Sequence, residues 1–313
     1  MEQALYHPEH GYYSSGRAAI GRRGDYFTNV SVGPLFGRLL AAQFNEIWAR
    51  LGKIDSFAVV EQGAHDGAFA RDVLEALQES SPEFFSALRY RIVEPFRVLQ
   101  HRQSQTLDGF CDKVDWRDSI ETLEPFAGIH FSNELLDAMP LNLRGKLVGL
   151  EVDSLVFVET PVDLKINQPA LDWIDNLSTK LKRGFVLAID YGFVRDEFRE
   201  VVQVRAQHRH LDSPFEEIGD ADISAHINWT EIAERAQANG LRLAGFTDQH
   251  RFLTGIISAW PEFAQDPETK RALQTLLHPE MLGRAFQVLA LAKDVDLAAA
   301  PLAGFKYARD PRL

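Results

Sequence analysis

Residues 57–69 constrain the fold most, because they read as a strand, a glycine-bearing turn and the start of a helix. The apolar run Phe57–Val60 ends at the acidic Glu61, and Gly63 and Gly67 stand in the turn that follows. A helical pattern of apolar residues then begins at Phe69. This order is typical of the first unit of a nucleotide-type cofactor fold, since glycine lets the backbone approach a ligand at the carboxyl end of a strand.

The turn also indicates which cofactor fits. A dinucleotide fingerprint starting at Gly63 would need glycines where this chain has His65 and Ala68. The pattern that remains, an acidic residue two positions before one glycine and six before another, is closer to the first motif of S-adenosylmethionine (SAM) methyltransferases. A structural strand–turn–helix without a cofactor remains the alternative.

Apolar runs and helical patterns alternate along the rest of the chain. This alternation predicts an α/β, Rossmann-like fold with a mostly parallel twisted sheet and helices on both faces. The predicted strands are 57–61, 90–94, 128–132 and 185–190, the predicted helices are 34–51, 68–79 and 96–107, and 241–246 is expected to pair with 286–292 as an antiparallel edge.

The spacing of these elements predicts the domain organisation. Residues 1–52 are expected to form an N-terminal lid and a first helix, because the first forty residues are rich in glycine and aromatic side chains. Residues 53–313 are expected to form the cofactor domain. The stretches at about 141–180 and 191–285 are too long for simple crossovers and predict insertions that shape the substrate side.

Composition excludes several classes of protein. The 313 residues carry a formal charge of −12, which argues against nonspecific nucleic-acid binding. No run approaches the ~18 apolar residues that span a membrane. The lone Cys111 excludes an intramolecular disulfide framework, and no histidine pair has zinc spacing with a third ligand, so no metal site is predicted. With no secretory signal at the N-terminus, a cytoplasmic location is expected.

Three residues beyond the turn are candidates for holding an adenosine cofactor. Glu94 ends the second predicted strand, where doubly wound folds place an acid that accepts hydrogen bonds from ribose hydroxyls. Asp115 and Trp116 belong to the third unit, where an acid and an apolar face commonly meet an adenine ring. A solvated carboxylate at Glu94 and ordinary core packing for Trp116 remain the alternatives.

The segment Ser132–Pro140 is the sharpest local feature. It follows a buried strand, so Asn133 and Glu134 should lie at the carboxyl edge of the sheet, and Asp137 should lie on the same face if the segment is helical. Two crowded carboxylates repel each other unless a cation joins them, and a planar guanidinium suits that role. The alternative is a helix cap whose charges face water.

Taken together, these stretches resemble the MidA family of SAM-dependent methyltransferases. The resemblance covers nearly the whole chain, and its order and spacing are more specific than any single motif. It rests on Ala4–Tyr6, Gly11–Tyr13, Gly24–Thr28, Phe36-Gly37, Glu61–Gly67, Val93-Glu94, Asn133-Glu134, Asp137-Ala138, Pro140, Asp190–Gly192, Arg205, His208-Arg209, Asp222–His226, Gln249–Leu253, Gly283 and Phe286–Lys293.

The resemblance implies methylation of an arginine side chain on a protein substrate, with SAM as cofactor. Mitochondrial members of the family assist assembly of respiratory complex I, so a subunit of the NADH dehydrogenase is the implied substrate. Glu134 and Asp137, with Asn133, would face the guanidinium. The residues implied to hold SAM are Glu61, Gly63, Ala64, His65, Gly67, Glu94, Asp115, Trp116, Gly24, Asp25 and Thr28.

The chain departs from the family pattern in two places. The family usually has a glycine-richer turn, whereas Ala64-His65-Asp66 stands between the glycines here, and His65 is expected to reshape the methionine pocket. The chain also begins where relatives have completed a first helix, so an N-terminal element is expected to be missing. Two other functions stay open: a small-molecule O- or N-methyltransferase, and a noncatalytic assembly factor on the same fold.

Overall fold

The computed structural model describes residues 1–16, 28–140, 145–151, 154–159, 167–197, 202–207, 209–265 and 267–308. Its helices are α1 Glu2–Tyr6, α2 Leu35–Arg50, α3 Ala68–Ser80, α4 Pro82–Ala87, α5 Arg97–Thr106, α6 Gln168–Lys180, α7 Trp229–Ala238, α8 Gln249–Ala259, α9 Glu262–Gln265 and α10 Lys270–Leu277. Its strands are β1 Phe57–Gln62, β2 Leu88–Val93, β3 Val114–Arg117, β4 Phe126–Asn133, β5 Gly145–Glu151, β6 Ser154–Glu159, β7 Leu181–Phe193, β8 Val202–Ala206, β9 Arg209–His210, β10 Asp222–Ala225, β11 Ile227–Asn228, β12 Arg242–Asp248 and β13 Phe286–Lys293.

The central sheet has the order β12-β13-β7-β4-β1-β2-β3, and the short β11 pairs with β7. Strands β3, β2, β1, β4 and β7 are parallel, whereas β13 runs antiparallel to both β7 and β12. The predicted α/β class and the antiparallel edge are therefore confirmed. The order reverses between β1 and β4, and ligands of open α/β sheets bind in the crevice beside such a switch point.

Alternation along β1 shows why the central strand is apolar throughout. Phe57 and Val59 belong to the core on one face of the sheet, and Ala58 and Val60 belong to the core on the other. Successive side chains of a strand point to opposite faces of the sheet, and both faces are covered here. The strand therefore needs an apolar side chain at every position. The first core includes side chains from α2, α3 and α8, and the second includes side chains from α6 and α7.

A smaller unit packs beside the main sheet. Strands β8, β9 and β10 form a three-stranded antiparallel sheet, and a separate apolar cluster joins it to the N-terminal segment. Leu5 and Tyr12 of that segment pack with Val204 and Ile223 of the small sheet. The two stretches expected to be a lid with a first helix and a substrate-side insertion therefore each contribute to two places. Residues 1–16 pack with the small sheet of β8, β9 and β10, whereas α2 and α8 belong to the main core.

Strands β5 and β6 pair antiparallel within the stretch expected to be an insertion. No helix among the described residues combines the length and the apolar character that crossing a membrane requires.

Candidate functional site

A cavity of about 580 Å³ opens at the carboxyl ends of β1, β2 and β4, beside the switch point. This volume lies within the roughly 300–1,000 Å³ typical of small-molecule sites. We call it the main cavity. Its walls include Glu61–Asp66 at the end of β1 and beyond it, Val93–Phe96 at the end of β2 and beyond it, Phe131 and Asn133–Leu135 at the end of β4 and beyond it, and Tyr6, Tyr13, Thr28, Val30 and Ser31 from the N-terminal segment.

The turn after β1 follows the shape that its glycines predict. Gly63 has φ +84° and Gly67 has φ +83°, a left-handed conformation that strains other residues. His65 adopts it as well, at φ +47°, although it has a side chain. The His65 imidazole lines the cavity without filling it, and its buried Nε2 has no hydrogen-bond partner among the described residues. The cavity thus offers both space and an unpaired polar atom to a ligand.

Glu94 is held in place at the end of β2. It is only 4% exposed, its Oε1 accepts the backbone N–H of Phe96 at 3.0 Å, and its Oε2 accepts Gln103 Nε2 at 3.0 Å. Burial raises the pKa of Glu94 to about 7, against the pull of these two donors. A carboxylate has about four acceptor sites, so capacity remains for ribose hydroxyls.

Gln103 of α5 is a residue that the sequence analysis missed. It is fully buried, and its Nε2 also donates to the carbonyl oxygen of His65 at 3.0 Å, while its Oε1 accepts Trp116 Nε1 at 2.9 Å. One amide therefore joins the turn after β1, Glu94 and β3. No local pattern in the sequence marks it, because a glutamine on a polar helix face is ordinary.

The structure places several predicted cofactor residues away from the cavity wall. Trp116 reaches the cavity only through Gln103, and Asp115 is instead ion-paired with Arg117 at 2.9 Å. Gly67 caps the N-terminus of α3, and a Cβ there would lie 3.3 Å from the Cα of Gln103, so Gly67 allows the start of α3 to pack closely against α5.

Of the three predicted cofactor residues in the N-terminal segment, the structure describes one. Thr28 lines the main cavity. The predictions for Gly24 and Asp25 lie outside the described residues, as does His208 of the family pattern.

Glu61 closes the floor of the main cavity. It is 4% exposed, and Tyr90 Oη donates to its Oε2 at 2.7 Å. Burial raises the pKa of Glu61 to about 8, although the tyrosine hydrogen bond opposes the rise.

The segment after β4 does not form the helix on which the Asp137 prediction depended. Glu134 has φ +56°, and the backbone N–H groups of Leu135, Leu136 and Asp137 donate to Asp190 Oδ2 at 3.1, 2.8 and 3.3 Å. These donors wrap around a buried carboxylate instead of entering a helix. Asp190 of β7 therefore shapes the loop that carries Glu134.

Glu134 and Asp137 nevertheless meet, in a second and much smaller space of about 20 Å³ that we call the acid chamber. It has room for about one water molecule. Glu134 and Tyr13 line both spaces, so the acid chamber adjoins the main cavity. Its other walls are Asp137, Tyr191, Gln203, Arg205, Asp222, Ser224, Ala225 and His226.

Burial and mutual repulsion hold protons on this group of acids. Burial raises the pKa of Glu134 to about 8, and Asp190 and Asp222 add to the effect. The pKa of Asp137 rises well above its ordinary value for the same reasons. Burial also raises the pKa of Asp190 to about 7, and its backbone donors oppose that rise.

Two tyrosines of the N-terminal segment cover the junction. Tyr6 Oη donates to the carbonyl oxygen of Ala138 at 2.8 Å, and Tyr13 Oη donates to Asp222 Oδ1 at 2.6 Å. Their rings stack on each other, with centroids 5.7 Å apart, and Tyr6 also stacks on Phe96. The aromatic segment expected to be a lid thus lies against both spaces.

A parallel sheet with an antiparallel final pair, a glycine turn after the first strand and a buried acid after the second define a SAM-dependent methyltransferase of the Rossmann-like class. The chain belongs to the family described as "Putative S-adenosyl-L-methionine-dependent methyltransferase", whose model matches residues 39–146 and 160–247, more than half of the chain. The resemblance to this kind of enzyme, and SAM as its cofactor, are confirmed.

Curated relatives and a solved structure agree. The Drosophila melanogaster protein named "Protein arginine methyltransferase NDUFAF7 homolog, mitochondrial" is 23% identical over 97% of this chain and 84% of its own length. The Homo sapiens protein named "Protein arginine methyltransferase NDUFAF7, mitochondrial" is 23% identical over 100% of this chain and 82% of its own length. A Burkholderia thailandensis structure, described as a candidate methyl transferase bound to S-adenosyl-homocysteine, is 28% identical, with a TM-score of 0.80 over 98% of this chain and 89% of that one.

These relatives overturn one prediction. A cytoplasmic location is wrong in their light, because they are named as mitochondrial proteins. A low cysteine count indicates a reducing environment, and it does not distinguish one compartment from another.

Proposed function

We propose that this methyltransferase modifies an arginine side chain of a protein substrate. The observation that carries the proposal is the acid chamber, where Glu134, Asp137 and Asp222 converge beside the main cavity. A guanidinium is the side-chain cation best matched to paired carboxylates, because its planar fork donates to two acceptors at once. The names of the curated relatives support the same acceptor.

The residues of the main cavity suit SAM. Glu94 would accept the ribose hydroxyls, Gly63 would let the backbone approach the methionine part, and His65 Nε2 offers a buried polar atom to the same ligand. When bound, SAM supplies a methyl group from its sulfonium sulfur to a guanidinium nitrogen and becomes S-adenosylhomocysteine.

The chain itself contributes position, charge and a proton acceptor. Holding the reacting atoms in contact geometry can lower the barrier by roughly 7–11 kcal/mol. The acids offset the repulsion between two cations. A carboxylate of Glu134 or Asp137 takes the proton that the methylated nitrogen loses, and the raised pKa of Glu134, about 8, suits that task near neutral pH.

The acid chamber must enlarge to admit an acceptor. Its volume of about 20 Å³ holds a water but not a guanidinium. The Tyr13–Asp222 hydrogen bond closes the chamber on the side of the N-terminal segment. We therefore assign residues 1–33 to a lid whose tyrosine-bearing part, residues 1–16, opens for the substrate arginine, and 53–313 to the catalytic domain with its substrate-side insertions.

The family resemblance indicates a subunit of the respiratory NADH dehydrogenase as the protein substrate. Mass spectrometry of the complex from cells with and without this gene tests that choice, since the substrate arginine should lose one or two methyl masses in the mutant cells.

Glu134→Gln tests the acceptor site directly. With labelled SAM and cell extract, the variant should lose about 100-fold or more of the methylarginine label. Calorimetry should show S-adenosylhomocysteine binding within about threefold of the wild type, since Gln keeps the shape of the side chain. Glu75→Gln, the same change at an exposed position of α3, should alter neither.

Three results would count against the proposal. Loss of cofactor binding in Glu134→Gln would place Glu134 in the cofactor site. Label in metabolites rather than proteins would favour a small-molecule methyltransferase. A wild-type chain that binds no S-adenosylhomocysteine at millimolar concentration would favour a noncatalytic assembly factor.

A further inference from the structure

A chain of side-chain amides leads from α8 to Glu134. Gln249 Nε2 donates to Asn29 Oδ1 at 2.8 Å, Asn29 Nδ2 donates to Asn133 Oδ1 at 2.8 Å, and Asn133 Nδ2 donates to Glu134 Oε1 at 2.9 Å. Gln249 and Asn29 are both 0% exposed. Four residues from three distant parts of the sequence thus form one continuous hydrogen-bonded path.

The direction of this path is fixed at both ends. At one end, Gln249 Nε2 also faces the carbonyl oxygen of Leu276 at 3.3 Å, and a carbonyl can only accept. At the other end, an ionised Glu134 can only accept, so the NH₂ group of Asn133 must face it. With Glu134 ionised, turning over any one amide would set two donors or two acceptors against each other, so this orientation is the one that serves the ionised carboxylate.

We propose that Asn29 and Gln249 are positioning residues that orient the Glu134 carboxylate and favour its ionised form through this amide chain. The importance of that orientation for methyl transfer rests on the function proposed above. Neither residue was a candidate from its sequence context, and Gln249 lines neither the main cavity nor the acid chamber.

The physical basis is polarisation along the chain. Hydrogen bonds in series strengthen one another where the local dielectric is low, and the last bond is charge-assisted when Glu134 is ionised. The Asn133 donation and the backbone N–H of Asn29 both lower the pKa of Glu134, against the burial that raises it. Loss of the hydrogen bond from Gln249 to Asn29 therefore weakens the hydrogen bond from Asn133 to Glu134. Less then opposes the rise in the pKa of Glu134 that burial causes.

Other titratable groups also face Glu134 and must stay unchanged in a test. The acids are Asp137, Asp190 and Asp222, and the remaining groups on the walls of the acid chamber are Tyr13, Tyr191, Arg205 and His226. A change at Gln249 touches none of them. A change at Asn29 is less clean, because its neighbours Thr28 and Val30 line the main cavity.

Gln249→Met therefore tests the proposal, and Gln43→Met is its matched control. Gln43 is also 0% exposed and lies on a helix, and its amide also makes two hydrogen bonds, to Glu46 Oε2 and from the N–H of Gly304, each at 2.8 Å. The two variants lose comparable buried hydrogen bonds, but only Gln249 is linked to Glu134. Gln249→Asn, which is too short to reach Asn29, serves if the methionine variant does not fold.

The measurement is the pKa of Glu134 itself, by ¹³C NMR of protein labelled at the glutamate carboxyl carbon and assigned with Glu134→Gln. Gln249→Met should raise this pKa by about half a pH unit or more, and Gln43→Met should leave it unchanged. An unchanged pKa in Gln249→Met, or an equal rise in both variants, overturns the proposal.

Kinetics supply the second reading. The acid limb of the pH–kcat profile should move to higher pH in Gln249→Met, while KM for SAM stays within about twofold. The NMR titration needs no acceptor. A rise in the pKa without arginine methylation by the wild type would therefore refute the proposed function alone, and methylation with no rise would refute the amide chain alone.

Discussion

Gln103→Met is expected to weaken cofactor binding, and to do so more at neutral than at alkaline pH. The substitution keeps an unbranched side chain of similar length but removes the donor to Glu94 Oε2 and the acceptor of the Trp116 indole N–H. It also leaves the carbonyl oxygen of His65 without that donor. Gln103 does not touch the cavity, so any effect must pass through these partners.

The size of the effect follows from the titration of Glu94, whose pKa burial raises to about 7. A hydrogen bond to a charged group contributes about 1.5–3 kcal/mol, and 1.36 kcal/mol corresponds to one pH unit. Losing the Gln103 donor should therefore raise the pKa by about one unit or more. At pH 7 the ionised fraction of Glu94 would fall from about one half to about one tenth, a roughly fivefold loss of affinity from protonation alone.

Calorimetric titration with S-adenosylhomocysteine at pH 7 and pH 9 measures this. The loss should be fivefold or more at pH 7 and should narrow at pH 9, where Glu94 is ionised in both proteins. Gln100→Met is the control on the same helix, because Gln100 donates to the Glu94 backbone carbonyl rather than to its carboxylate. Equal losses at both pH values would refute the reasoning, because the defect would then not involve protonation of Glu94.

Three further outcomes are expected. His130 is fully buried with no partner for either ring nitrogen among the described residues, and burial lowers its pKa to about 3. Because this pKa lies below the unfolded value, stability is lost as pH falls below about 6.5. His130→Leu should thus raise the free energy of unfolding in urea by ~2 kcal/mol more at pH 5 than at pH 7, and an equal gain at both would contradict the cause. Gly63→Val should abolish S-adenosylhomocysteine binding in calorimetry, because φ +84° strains a β-branched residue, and unchanged binding would remove Gly63 from the site. Propylguanidinium should release protons when it binds the enzyme–S-adenosylhomocysteine complex at pH 7, seen as buffer-dependent binding heats, because ion pairing lowers the raised pKa of Glu134; proton uptake would contradict that pairing.

The sequence alone could predict those site residues whose position depends on one strand and the turn that follows it. The left-handed glycine at 63 and the acid at the end of β2 occupy fixed offsets from apolar runs, so Glu94 could be placed on the cavity from its position alone. Asn133 and Glu134 were placed for the same reason, at the end of β4. In each case the residue and the strand that positions it are neighbours in the sequence.

Residues that act through long-range partners could not be predicted in this way. The helix expected after Glu134 fails because Asp190, which lies on another strand, binds the backbone N–H groups that a helix would need. Gln103 and Gln249 look like ordinary helical glutamines until the fold buries them. Trp116 was predicted to contact the cofactor because its strand is adjacent, but its indole N–H donates to Gln103, which in turn donates to Glu94.

The shared cause behind these hidden contributors is the cost of burying acids. A buried charge costs several kcal/mol unless it is paired and hydrogen-bonded, and the site buries Glu61, Glu94, Asp137 and Asp190 and half-buries Glu134, in or beside two adjoining spaces. Hydrogen-bond donors offset this cost for four of the acids. Tyr90 donates to Glu61, and Gln103 donates to Glu94. The backbone of residues 135–137 donates to Asp190, and the amide chain donates to Glu134. Tyr90, Gln103, Asn29 and Gln249 lie outside the walls of both spaces, so a search confined to those walls would find the acids but miss these four residues.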